Sequence, residues 1–232
     1  MNRFTFKMLG RTLSVAAAVV VGAVCWLGCG ENDNPSNSGG SVVYGDPLVY
    51  GGQTYKTVKI GGRTWMAENM NIVTDSSWCY NDSLSYCKKY GRLYNWNAAM
   101  KVCPSGWHLP TRDEWGALAK TAGGTGDYGS GGTAGTVLKS SNGWMNSNDN
   151  GTDDFGFSAL PGGYRNYDGD DSGFYNVGDD GLWWTATETA EYLVSGYIYG
   201  SYYRYMGYGY FNVGEAKVDK RNGYSVRCVM NA

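Results

Sequence analysis

Glycine is the residue that most limits how this chain can fold. Thirty-six of its 232 positions are glycine and only 5 are proline. Glycine weakens the interiors of helices and strands and marks tight turns. With an aromatic share of 15%, the pattern predicts short strands joined by turns, with substantial β-structure, rather than a helical bundle. A hydrophobic fraction of 42% against 17% charged residues suits one globular domain with a real core.

The N-terminus is set apart from that domain. Arg3, Lys7 and Arg11 precede an apolar run from Val15 to Leu27, which ends in "WLGCG". A small residue, Gly28, stands before Cys29, and this order reads as a lipoprotein signal over residues 1–28 with Cys29 as the lipidated mature N-terminus. Cys25, preceded by Val24, fits less well. An uncleaved anchor or an ordinary secretory signal is the competing reading, and each sends the domain out of the cytoplasm. The expected location is the cell envelope, lipid-anchored to a membrane, with the outer membrane favoured. Residues 1–28 carry three positive charges and no negative ones, so their removal takes the formal charge from −2 to −5. That balance argues against nucleic acid as a partner. The polar segment "GENDNPSNSGGS" lacks the apolar surface needed to fold and reads as part of a flexible tether over 29–47. The folded domain is expected over 48–232.

Four further cysteines, Cys79, Cys87, Cys103 and Cys228, then face a compartment that permits disulfides. Three pairings exist. Short spacing favours Cys79 with Cys87 as a local clasp, which leaves Cys103 with Cys228 as a long closure. A metal or redox site is the weaker reading, since the chain has no Cys-x-x-Cys and a single histidine.

Alternating Val58, Ile60 and Trp65 about Gly61-Gly62 predict an opening β-hairpin. Leu93, Trp96, Ala99 or Met100, and Cys103 recur near helical spacing and predict a first helix over "GRLYNWNAAMKVC". Thr111 with Glu114 three residues on forms a capping box before Trp115, Leu118 and Ala119, and predicts a second helix ending at Gly123-Gly124. Residues 124–150 read as a long loop with one turn of helix near "TVLKSSNGW". Beyond them "FGFSALPGGY", "GLWWTATE", "YLVSGYIYGSYYRY", "GYGYFNVGEAKV" and "GYSVRCVM" are strand-like pieces of a meandering antiparallel sheet. Helices segregated from strands in this way define an α+β class.

In order, "TVKIGGRTWMAENM", "CPSGWHLPTRDEW", "GFSALPGGYR", "GLWWTATE" and "GYSVRCV" resemble the Fibrobacter succinogenes major paralogous domain, a family of secreted and lipid-anchored bacterial proteins. The likeness runs from about Gly52 to Met230. More distantly, "GWHLPTRDEW" and the closing "GYSVRCV" are similar to signatures of the formylglycine-generating enzyme group. That resemblance implies a C-type-lectin-like fold, with the termini in one twisted antiparallel sheet, two flanking helices and long loops on one side. It also implies a structural role for Cys103 with Cys228, which occupy the places of the long disulfide in such domains. The formylglycine-generating enzymes use two redox cysteines and copper, but Cys103 and Cys228 do not match that pair. The resemblance brings no established activity with it.

Few residues offer chemistry. His108, the lone histidine, has no second histidine for a metal and no acid to orient it toward Ser105 or Thr111, so no catalytic role is expected. "GTGDYG" (124–129) follows a helix rather than a strand, and "SYCK" (85–88) lacks companion motifs. "DGDDSGFYNVGD" places Asp168, Asp170, Ser172 and Asp179 at calcium-loop positions 1, 3, 5 and 12, with Gly173 at position 6. It has Asp where such loops carry Glu, and no helical flanks, so a solvated acidic turn competes with calcium binding. "NSNDNGTDD" (146–154) is a second oxygen-rich candidate.

The feature left without a structural explanation is "YIYGSYYRYMGYGY", which holds Tyr197, Tyr199, Tyr202, Tyr203, Tyr205, Tyr208 and Tyr210. Tyrosine offers a flat apolar face and a hydroxyl at low entropic cost, as binding surfaces require. Ordinary aromatic packing in a sheet is the alternative. The expectation is a non-catalytic, envelope-exposed binding or adhesion module for a polysaccharide or a surface protein. A structural envelope component is the second reading, and a copper/thiol oxidase the third.

Overall fold

The computed structural model describes residues 41–167, 173–194 and 197–232, with backbone alone at 147, 191–194 and 197–199. The chain opens with two hairpins, β1 (Leu48–Tyr50) with β2 (Gln53–Tyr55) and β3 (Thr57–Ile60) with β4 (Arg63–Met66). Then come β5 (Ser77–Trp78), α1 (Leu84–Tyr90), β6 (Leu93–Tyr94), α2 (Trp96–Val102) and β7 (Trp107–His108). The longest helix among the described residues, α3 (Arg112–Thr121), is followed by β8 (Gly124–Thr125), β9 (Gly131–Gly132) and α4 (Ala134–Leu138). The C-terminal half supplies β10 (Gly162–Asn166), β11 (Gly173–Val177), β12 (Asp180–Val194), β13 (Tyr197–Gly207), β14 (Gly214–Val218) and the closing β15 (Val229–Met230). The class is α+β.

Two sheets organise the domain. One runs β3-β4-β15-β7, so the last strand sits between elements from the start of the domain, Val229 pairing with Trp65 on one side and His108 on the other. The other runs β11-β10-β12-β13-β14; it is antiparallel except where β10 meets β12 in parallel at Gly163 and Gly181. The adjacent Trp183 and Trp184 on β12 point to opposite faces, as strand alternation requires. Trp183 enters a core with Trp65, Trp115 and Phe157, and Trp184 enters a second with Tyr94, Val226 and Tyr224. One dipeptide thus joins two cores.

Local sequence explains most boundaries. Gly61 (φ 59°) and Gly62 (φ 76°) turn the β3–β4 hairpin, both positive as a two-residue type I′ turn demands. Thr111 and Glu114 make the capping box reciprocally at the start of α3. Both expected disulfides are present, Cys79–Cys87 and Cys103–Cys228.

Elsewhere the fold departs from the spacing. The first expected helix begins only at Trp96, because the Asn95 side chain accepts from the Ala98 N–H and caps it there, while Leu93 and Tyr94 pair with β5. An additional helix, α1, precedes it. The described residues hold four α-helices rather than two. "FGFSALPGGY" is strand only from Gly162; Phe157 and Ala159 are buried in irregular chain instead. "YLVSGYIYGSYYRY" holds the end of one strand and the start of the next. Residues ahead of Leu48 also join the hairpins: the Lys59 N–H donates to the Val43 carbonyl and the Gly45 N–H to the Thr57 carbonyl. Cys29 and the rest of 1–40 lie outside the described residues.

Candidate functional site

The strand register sorts the tyrosines. Tyr205 lies opposite Leu182 and Gly214, and Tyr203 opposite Trp184 and Ala216, so both project from one face of the five-stranded sheet. Tyr202, opposite Lys217, projects from the other. Tyr164 from β10 and Tyr224 from the C-terminal segment complete a row of touching rings. Centroids lie 6.0 Å apart for Tyr164–Tyr224, 4.8 Å for Tyr224–Tyr203 and 5.9 Å for Tyr203–Tyr205. Trp184 backs the row from below, 4.6 Å from Tyr224.

This row floors a groove of about 570 Å³, with Tyr210 exposed at its rim and Asn166, Asn176, Asp180, Asp219 and Asn222 along its sides. The volume falls in the range of small-ligand sites. Its two carboxyls differ in character. Burial pushes Asp180 up, against the hydrogen bond its Oδ2 accepts from Asn176 Nδ2 at 2.7 Å. Burial acts the same way on Asp219, but hydrogen bonds from the Arg221 side chain and backbone outweigh it and hold that carboxyl below the usual range. The Tyr224 phenol, fully buried, is raised well above its ordinary value by loss of solvent.

Beneath the groove lies a hub of buried polar groups. Asn69 Oδ1 accepts from Trp183 Nε1 and from Arg227 Nε, both at 2.9 Å, while its Nδ2 donates to the Tyr90 carbonyl at 2.8 Å. Arg227 also donates to the Phe157 and Ser158 carbonyls. Burial pulls its guanidinium down to about 9. The side chains of "AENM", "GFSAL", "LWW" and "SVRCV" therefore meet at one point.

Against known proteins, the model of the Fibrobacter succinogenes major domain matches residues 58–230. The chain belongs to that family. No curated protein and no solved structure matches it. In this Fibrobacter succinogenes major domain the groove takes Tyr164, Leu182 and Tyr224 from the strings quoted above and its other lining residues from elsewhere within the matched range.

Of the seven tyrosines singled out from sequence, Tyr203, Tyr205 and Tyr210 line the groove. Tyr208 is exposed in the β13–β14 loop. Tyr202 instead stacks on the far face, where the Arg112 guanidinium lies 4.3 Å from its ring and 3.5 Å from that of Tyr128. Arg112 in turn binds Glu215, which also pairs with the fully buried Arg204. The side chains of Tyr197 and Tyr199 lie outside the described residues. Tyr164, Tyr224, Asp180, Asp219 and the three asparagines were not foreseen. They come from four separate segments, and only strand pairing unites them.

His108 joins the two ends of its motif to the C-terminus. Its Nε2 is 3.0 Å from both carboxylate oxygens of Glu114 and its Nδ1 is 2.7 Å from Asn231 Oδ1. The four cysteines singled out are all bound in disulfides. For calcium, Asp168, Asp170 and Ser172 lie outside the described residues, and Asp179 sits in the turn after β11, where its N–H donates to the Asn176 carbonyl. In the second oxygen-rich stretch, Asp149 accepts from the Gly209 N–H and Asn146, and Asp153 from Ser158, so these carboxylates are engaged by protein donors.

Proposed function

We propose that the chain is a lipid-anchored, non-catalytic binding module of the cell envelope that holds polysaccharide in the tyrosine groove. The observation that carries this reading is the set of half-buried rings Tyr164, Tyr203 and Tyr205, packed about the buried Tyr224 and bordered by amides and carboxyls. Flat phenol faces stack on the C–H faces of sugar rings, and amides and carboxylates take up hydroxyls. A protein surface would meet the same aromatic groups, but a concave trough suits a chain better than a flat epitope. Anchorage rests on the basic segment, the apolar run and the Gly28–Cys29 step, with the outer membrane the favoured location. A C-type-lectin-like fold is supported by the pairing of β15 with β4 and β7, by the Cys103–Cys228 bridge, and by the long irregular stretches between α3 and β10.

Affinity electrophoresis tests the reading. The full chain in a zwitterionic detergent is run through gels containing plant or bacterial polysaccharides, with and without calcium, beside a Tyr203→Ala/Tyr205→Ala variant of unchanged melting temperature. Retardation of the parent that the variant loses is the expected result. A parent that migrates freely in every gel would overturn the proposal, and retardation that survives in the variant would move the site elsewhere.

A further inference from the structure

Resting on that reading, the geometry points to a narrower ligand: we infer that the groove holds the interior of a linear, uncharged polysaccharide along its length and does not cut it. The first reason is shape. Asp180 at one end of the groove pairs with Gly207, and Val218 at the other end pairs with Ser201. These two β13 positions are six residues apart, about 20 Å at the rise of an extended strand. The lining therefore extends along β13 for more than the length of one sugar ring, with Tyr203 and Tyr205 between its ends. Alternate residues on a strand repeat at about 7 Å, so the two rings meet successive stretches of one extended chain. A compact or branched ligand would touch one of them.

The second reason is the seating of the rings. A methyl group added to Gly214 would fall 2.2 to 2.6 Å from Cζ, Cε1 and Cε2 of Tyr205. The phenol thus lies down on the β14 backbone. One ring face is taken up by that strand, which leaves the half-buried ring, a lining residue of the groove, its other face for stacking on a sugar.

The third reason is charge. Among the described lining residues the one cation is Lys217, whose Nζ lies 5.2 Å from the centre of the Tyr202 ring on the opposite face of the sheet. Of the bordering carboxyls, Asp219 is paired with Arg221, while Asp180, bonded to the neutral Asn176 amide, would repel uronate groups. Carboxylates accept hydrogen bonds from hydroxyls, and the asparagines both accept and donate them.

Finally, the same register separates the two carboxyls. Glycoside hydrolysis needs a pair about 5 to 9.5 Å apart across one bond. Asp180 and Asp219 stand at opposite ends of the trough, so this pair holds a chain without cleaving it.

Calorimetric titration of the full chain in zwitterionic detergent decides the matter, using gluco-, xylo-, manno- and chito-oligosaccharides of one to six units, their borohydride-reduced forms, and oligogalacturonates. The expected result is that one neutral series binds with affinity rising about tenfold or more from monosaccharide to the longest member, the equivalent of about 1.4 kcal/mol. Reduction of the end unit leaves the longest member unchanged and shortens none. A monosaccharide that binds as well as the longest oligomer, a strong loss on end reduction, tighter binding of oligogalacturonate, or shortening of any oligomer overturns the inference while leaving carbohydrate binding intact. Silence across every series overturns both.

Discussion

The Tyr205 ring lies over the backbone of Gly214 on the neighbouring strand, so close that a single added methyl would overlap it. Glycine in a strand is normally a weakness, because it loses more backbone freedom on folding and packs no side chain. Here it is the seat of a flat aromatic group. Gly214→Ala is expected to lift the ring out of plane at an overpacking cost of about 1–3 kcal/mol. Polysaccharide retention should fall as far as in Tyr205→Ala, with circular dichroism unchanged. Full retention in Gly214→Ala would show that the ring's attitude is immaterial.

That glycine also shows how far the sequence could be read. The α3 capping box, the β3–β4 turn and the two disulfides depend on neighbours or on short spacing, and each was legible. The density of tyrosines was visible too, and strand alternation places Tyr203 and Tyr205 together. What alternation leaves open is which side is covered. Arg112, far away in sequence, stacks on Tyr202 and makes that face an interior one. Tyr164, Tyr224 and Asp180 reach the groove only through β10–β12 pairing at a single glycine pair and through the return of the C-terminal segment. The motifs that mark the family drew attention to His108, whereas its contacts with Glu114 and Asn231 tie α3 to the chain's end.

Asn69 is the centre of the buried hub, and its loss should be felt throughout the fold. Removing its Oδ1 leaves the Trp183 indole N–H and one Arg227 N–H without a partner in the interior, the latter on a charged group. An unpaired buried donor costs about 1–3 kcal/mol and more when charged. Asn69→Ala is therefore expected to lose about 3 kcal/mol or more in urea unfolding, whereas Asn69→Asp keeps both acceptor contacts and should lose less. Equal losses for the two would show that the hydrogen bonds do not set the stability.

Glu114 makes stability depend on acid. Burial pushes its carboxyl up, but the Thr111 N–H, His108 and Arg63 outweigh that and hold it below the ordinary carboxylate range. A group depressed in the folded state stabilises above its unfolded value and loses that contribution as the pH falls through its folded value. Melting of the parent and of Glu114→Gln should differ most near neutrality. The gap should close as the pH drops below about 4, where glutamate in an unfolded chain is protonated. A gap that stays constant down to pH 2 would remove the carboxylate from this role.

Lys139 connects the core of Trp65, Trp115 and Phe157, which also holds Leu138 and Trp144, to the groove's rim. Its side chain is buried, its Nζ donates to the carbonyls of Gly207 and Tyr210, and the ammonium lies 4.5 Å from the Trp144 ring centre. Desolvation pulls its pKa below the usual lysine range, but the two carbonyls and the ring face give the buried cation partners. Those contacts fix the start and end of the turn that carries Tyr208 and Tyr210. Lys139→Met keeps the aliphatic bulk and removes both bonds, leaving the Gly207 carbonyl only the bond from the Tyr210 N–H, so it should lose about 1–3 kcal/mol of stability. It should also weaken polysaccharide retention through Tyr210, an effect that Tyr210→Ala alone reproduces without the stability loss. If Lys139→Met lowered the melting temperature and left retention at the parent level, the turn would be a structural brace and Tyr210 no part of the binding surface.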